Sequence, residues 1–120
     1  MKRCNCNISS DNSVTIVRGS TNILQIDFNY QDVADLDTGT AVLGIKKNPK
    51  DEDYVLFKQV DYDMNKDYIV FEITPAETEN LNTGTYYYDI GINKNDNFYI
   101  IISKATFNIK QNILSREDVK

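Results

Sequence analysis

The chain has no histidine and no tryptophan among its 120 residues, and only two cysteines and two prolines. Each absence removes a class of function. Histidine is the side chain most often used for general acid–base chemistry, and without it no serine here can be activated by a Ser-His pair. Cys4 and Cys6 form a lone C-x-C. Structural zinc takes four ligands, and thiols this close make only a strained disulfide, so the pair reads as two thiols in a polar N-terminal tail. Basic residues are not clustered: 13 Lys and Arg are scattered among 18 Asp and Glu, for a net charge of −5. Nucleic-acid binding by counterion release needs a basic stripe, so no nucleic-acid partner is expected. The longest apolar run, Phe98 to Ile102, is far short of a membrane span, and no membrane partner is expected. The first residues, MKRCNCNISSDN, have no apolar core of a signal peptide. The expected location is therefore the cytoplasm of the producing cell.

What is present is period-two alternation. Val14 to Arg18 reads as a short first strand, ended by Gly19-Ser20. Thr21 to Tyr30 is a longer one, with Leu24, Ile26, Phe28 and Tyr30 on one face. An Asp-rich loop, Gln31 to Gly39, leads to a third strand marked by Ala41, Leu43 and Ile45. The turn Asn48 to Asp53 leads to a fourth, Tyr54 to Val60, whose faces are ambiguous because apolar residues fall on both parities. Asp61 to Asp67 reads as a polar turn, and Tyr68 to Thr74 as a fifth strand. Thr74-Pro75-Ala76-Glu77 has capping-box spacing with proline at the first helical position, which predicts a helical turn over Pro75 to Leu81. Tyr86, Tyr88, Ile90 and Ile92 then share one face of a sixth strand, Asn93 to Asn97 is a hairpin loop, and Phe98 to Ile109 is the last strand. A parity break near Ser103-Lys104 predicts a bulge or bend. The expected organisation is a tail over 1–12, one domain over 13–110, and a polar tail with weak helical character over 111–120. Seven strands, short turns and no long helix predict an all-β, Ig-like antiparallel sandwich. Lacking Trp and an inter-sheet Cys pair, it is not of antibody type.

Candidate sites are few. Asp61, Asp63, Asn65 and Asp67, with Glu72 at the twelfth position, approach the EF-hand calcium pattern. Lys66 stands where the loop requires glycine and the flanks read as strands, so a solvated turn is the simpler reading. Asp32, Asp35 and Asp37 are likewise a turn-rich connection before they are a calcium loop. No cofactor is expected. Glu77 and Glu79 sit on the helical turn, where negative charge near the N-terminus is favourable. No two carboxylates are expected in a cleft, and no catalytic residue is assigned. Tyr54, Tyr62, Tyr87 and Tyr99 are candidates for outward-facing rings. Such rings suit a protein interface or, as the alternative, a carbohydrate-binding or host-surface adhesion face. Leu81-x-x-Gly84-x-Tyr86 has the spacing of a tyrosine corner, in which the Tyr86 hydroxyl bonds back to the upstream backbone and Leu81 packs beneath it.

Four stretches, in order, carry a resemblance: Val17-Arg18-Gly19-Ser20, Ile69 to Thr78 (IVFEITPAET), Asn80 to Ile90 (NLNTGTYYYDI) and Lys104 to Ile109 (KATFNI). From Val17 to Ile113 the chain resembles small phage and prophage proteins related to the N-terminal domain of the baseplate upper protein of tailed phages infecting Gram-positive bacteria. Lys104 stands where that pattern has glycine, and Ser20 where aspartate is more frequent. The resemblance implies a non-enzymatic virion or baseplate-type structural protein, present in the particle and in the host bacterial cytoplasm before assembly. It also implies other tail proteins, and further copies of the chain, as partners.

Overall fold

The computed structural model describes residues 11–27, 38–63, 68–114 and 118. Among them the alternating segments form seven strands and one helical turn: β1 (Val14–Val17), β2 (Asn22–Asp27), β3 (Thr38–Lys46), β4 (Leu56–Asp63), β5 (Tyr68–Ile73), α1 (Pro75–Thr78), β6 (Gly84–Lys94) and β7 (Asn97–Lys110). Five strands make one sheet in the order β1-β7-β6-β3-β4, and β2 and β5 make the other. The order β4-β3-β6-β7 is that of the C′-C-F-G sheet of a variable-type immunoglobulin domain, and β2-β5 that of its B-E pair. The fold is all-β and Ig-like. One pairing departs from the expected antiparallel scheme: β1 runs parallel to β7, with Val14 opposite Phe107 and Ile16 opposite Ile109. No described helix is long and apolar enough to cross a membrane.

The core lies between the sheets because one parity of each strand is apolar. Ile16, Leu43, Ile45, Tyr88, Ile90, Ile92 and Phe107 on the large sheet close over Leu24, Ile69, Phe71 and Ile73 on the small one, all of them fully buried or nearly so. Tyr88 and Phe107, from neighbouring strands, meet edge to face with ring centroids 5.9 Å apart, a favoured aromatic geometry.

Two bulges shape β7. Tyr88 pairs with Ala105 and Ile90 with Ile102, so Asp89 faces both Ser103 and Lys104. Lys104 takes φ 49° there. That is the left-handed backbone region, costly for a residue with a Cβ. Its N–H, removed from the ladder, donates to the Asp89 carboxylate at 2.6 Å. A second shift between Ile90 and Gly91 leaves Ile101 as the extra residue. The first bulge reconciles Phe107 and Ile109, inward at odd numbers, with Ile102, inward at an even one, and the second returns the odd-numbered Tyr99 to the face of inward Ile92. At the hairpin tip, Lys94 pairs with Asn97 and both Asn95 and Asp96 have positive φ. The loop is thus the two-residue type I′ turn, shorter than the span read from the sequence.

Other boundaries also differ. β4 begins two residues later than expected and continues through Asp61, Tyr62 and Asp63, because inward Leu56, Val60 and Tyr62 continue one parity. The residues expected as a polar turn are therefore strand up to Asp63. Of β2's expected face, Phe28 and Tyr30 lie outside the described residues.

Candidate functional site

Two regions gather the residues that the sequence singles out. The first is the end of the sandwich where α1 crosses from β5 to β6. Pro75 occupies the first turn, and the Glu77 carboxylate reaches back to accept from the Thr74 N–H at 2.8 Å. Lys58, on β4, donates to both Glu77 oxygens at 2.9 and 2.8 Å. Burial alone would raise the Glu77 pKa. The hydrogen bond from Lys58, that from Thr74 and the Lys58 charge outweigh it, leaving the carboxyl below its ordinary value of 4.5.

The fully buried Thr78 hydroxyl accepts from the Gly19 N–H at 2.8 Å. Arg18 donates through Nη1 to the Leu81 carbonyl at 3.3 Å and through Nε to Asn112 Oδ1 at 3.0 Å. Leu81 packs against the core, Gly84 takes φ 135°, and the Tyr86 hydroxyl donates to the Asn82 carbonyl at 2.7 Å. That bond is the tyrosine corner. The Arg18-Gly19 loop, the Thr74–Thr78 turn and the Leu81–Tyr86 segment, distant in sequence, are thus one hydrogen-bonded knot. Arg18, Thr78, Glu77 and Tyr86 spend these hydrogen bonds on backbone, on Lys58 and on Asn112, which ties the three segments together.

The second region is the outer face of the five-stranded sheet. A hollow of about 420 Å³ lies there. Val42 and Gly44 of β3 and Tyr87, Asp89 and Gly91 of β6 form its floor. One wall is Tyr54 and Phe57, with ring centroids 5.0 Å apart. The other is Phe98 and Ile100 of β7. These four are large hydrophobic side chains left 51, 51, 58 and 48 % exposed. The two floor glycines have a reason. A Cβ on Gly44 would lie 2.6 Å from the Tyr54 ring, and one on Gly91 2.6 Å from the Phe98 ring. Each aromatic lies on bare backbone, the packing by which a strand glycine is covered. Lys46 Nζ sits 4.9 Å from the Tyr54 ring centroid and donates to the Asp51 carbonyl at 2.6 Å, a cation–π contact.

Of the four tyrosines expected outside, Tyr54 and Tyr87 line this hollow. Tyr62 is instead buried, and Tyr99 is partly buried against the core. Tyr62 follows the inward parity of β4, and Tyr99 pairs with inward Ile92 once the bulges have shifted β7. Phe57, Phe98 and Ile100 are not singled out by the sequence. Gly44 and Gly91 within alternating strands are the available signal.

The acidic candidates do not converge among the described residues. Asp61 lies on β4 opposite Thr40, whose hydroxyl donates to it at 2.9 Å. Asp63 ends β4, and Glu72 is exposed on β5 in the other sheet. Asn65, Asp67, Asp32, Asp35, Asp37, Cys4 and Cys6 lie outside the described residues. No group of three or more metal-ligating side chains occurs among those described. No protein-family model matches this chain, and no curated protein matches it either.

Proposed function

We propose that the protein is a non-enzymatic structural part of a phage particle, of the baseplate or tail, and that it works through protein–protein contacts. The observation that carries the contact reading is the outer sheet face, where Tyr54, Phe57, Phe98 and Ile100 stand half-exposed around one hollow. Half of four such side chains is roughly 400 Å² of apolar surface in one patch, a size that marks interaction sites on soluble proteins. The phage assignment rests on the four sequence stretches and on their spacing. The rigid knot formed by three of them suits a part that must hold its shape under assembly.

The carbohydrate-binding alternative is less favoured by this face. Tyr54 and Phe98 each have a ring lying on glycine backbone, and Tyr54 also carries the Lys46 ammonium. That leaves less open ring surface for a sugar. Mass spectrometry of gradient-purified particles from an induced lysate tests the assignment. The chain should follow the tail proteins through the gradient at constant ratio. Its absence from the particle fractions would overturn the proposal. Calorimetric heat with host-wall glycans, together with that absence, would favour adhesion.

A further inference from the structure

The hydrophobic face has properties that fit one partner in particular. We propose that it pairs with the same face of a second copy, making a two-fold dimer through the outer surface of the five-stranded sheet. The proposal rests on the reading that the protein works through protein contacts, and it names the partner.

Area is the first argument. Five strands spaced about 4.8 Å apart, from 4 to 14 residues long and averaging about nine at about 3.3 Å each, present a face of roughly 20 by 30 Å. Side-chain relief brings its accessible area towards the ~800 Å² that each partner contributes to a stable interface. The face is also open. Its deepest points, over Gly44 and Gly91, are already filled by the chain's own Tyr54 and Phe98 rings. What remains is a broad, ridged surface that suits another surface better than a small molecule.

Self-complementarity is the second argument. The hollow is flanked by two apolar ridges, Tyr54 and Phe57 on the β4 side and Phe98 and Ile100 on the β7 side. A two-fold axis along the strands, between β3 and β6, exchanges those sides. It sets Phe98 and Ile100 of one copy beside Tyr54 and Phe57 of the other. The ridges are offset along the strands: the Tyr54 ring covers Gly44, whereas the Phe98 ring covers Gly91, which pairs with Val42. That offset of two residues, roughly 7 Å, lets the rings interleave. The same axis brings together opposite charges. Asp89 pairs with Gly44 and Tyr87 with Lys46, so Asp89 of one copy comes within one same-face register step of Lys46 of the other. Two such pairs form per dimer, and they favour this register over one that places like charges together.

Sedimentation equilibrium of the purified full chain tests the proposal. The expected mass is twice the 13.8 kDa of one chain at concentrations up to about 100 μM. Phe57→Asp and Ile100→Lys should each shift the chain to monomer while keeping the thermal transition. An equimolar mixture of the two variants should restore the dimer. It sets the introduced aspartate against the introduced lysine across one contact and leaves the native Ile100 beside the native Phe57 at the other. A monomeric parent at about 100 μM overturns the proposal. So does a dimer that both variants leave intact, or two monomeric variants that fail to pair when mixed. Should Phe57→Asp fail to fold, a folded Ile100→Lys that stays dimeric overturns it equally. A monomeric parent that still travels with purified particles defeats this inference alone and leaves the broader functional reading standing.

Discussion

Tyr86 and Tyr88 stand two residues apart on β6, both turned into the core, and their hydroxyls tie down different parts of the chain. Tyr86 closes the corner onto the Asn82 carbonyl. Removing one buried partner of a hydrogen bond costs about 1 kcal/mol or somewhat more, so Tyr86→Phe should lower the urea midpoint correspondingly. An unchanged midpoint would remove the corner from the account. The Tyr88 hydroxyl donates to the Asn12 carbonyl and so pins the chain just before β1. Burial, with the nearby Asp11 charge second, pushes the Tyr88 pKa up to about 12 from an ordinary 10. The folded state thus favours the neutral phenol. Its contribution is intact below about pH 10 and is lost as pH rises through the folded value. Alkaline titration of stability should show a fall over that window that Tyr88→Phe reduces. An identical fall in the variant would contradict the assignment. Lys104, at φ 49°, carries a different strain. Lys104→Gly should raise stability by about 0.5–1 kcal/mol in urea unfolding, because the Asp89 cap binds the backbone N–H and survives the change. A destabilised glycine variant would count against left-handed strain at this site.

Among the elements, α1, only four residues long, depends most on its neighbours. A four-residue helix has almost no intrinsic stability. It is held by proline at its start, by Glu77 reaching back to Thr74, by Lys58 from β4, and by Thr78 accepting from Gly19. Glu77 is depressed below 4.5. Its stabilisation is therefore present above that ordinary value and lost as pH falls through the lower folded value. Glu77→Gln should cost about 0.5–1 kcal/mol at neutral pH, a modest figure because the pair is partly solvated, and should flatten the acid limb of the stability profile. An acid limb unchanged in the variant would assign it to other carboxylates.

The elements also show what sequence can carry. Alternation is enough for β1, β3, β5 and most of β6, because one parity in each is purely apolar. The Thr74–Glu77 spacing and the Leu81-x-x-Gly84-x-Tyr86 spacing are legible because caps and corners are local. β4 is not, since Leu56 and Phe57 are adjacent and both apolar, and only the sheet decides which turns inward. Tyr99 is misplaced because the sequence shows one parity break, near Ser103-Lys104, whereas a second bulge at Ile101 turns the strand back so that Tyr99 pairs with inward Ile92, and the parallel β1–β7 pairing is a property of topology. The aromatic face is hidden for a related reason. It is assembled from β3, β4, β6, β7 and the segment before β4, and its residues become neighbours only through the register of those strands.

At the scale of the whole molecule, the knot and the outer face are two different places. Three of the four stretches that carry the sequence resemblance meet in the α1 knot, where their side chains hydrogen-bond to one another and to backbone. The outer sheet face takes Tyr87, Asp89 and Lys104 from those stretches but its exposed ridges, Tyr54, Phe57, Phe98 and Ile100, from outside them. Substitutions in the knot should change stability and leave assembly intact at temperatures where the variant stays folded. Substitutions of Phe57 or Ile100 should do the reverse. The most direct test of the central claim, that this face meets another protein in the particle, is a photo-crosslinking residue placed at Phe57 in chains incorporated into assembled particles. The account predicts cross-linked products with a second copy or with a tail protein, and none from the same residue placed at exposed Glu72 on the opposite sheet. Particles that contain the chain but yield no Phe57 cross-link, or that yield the same products from both positions, would contradict it.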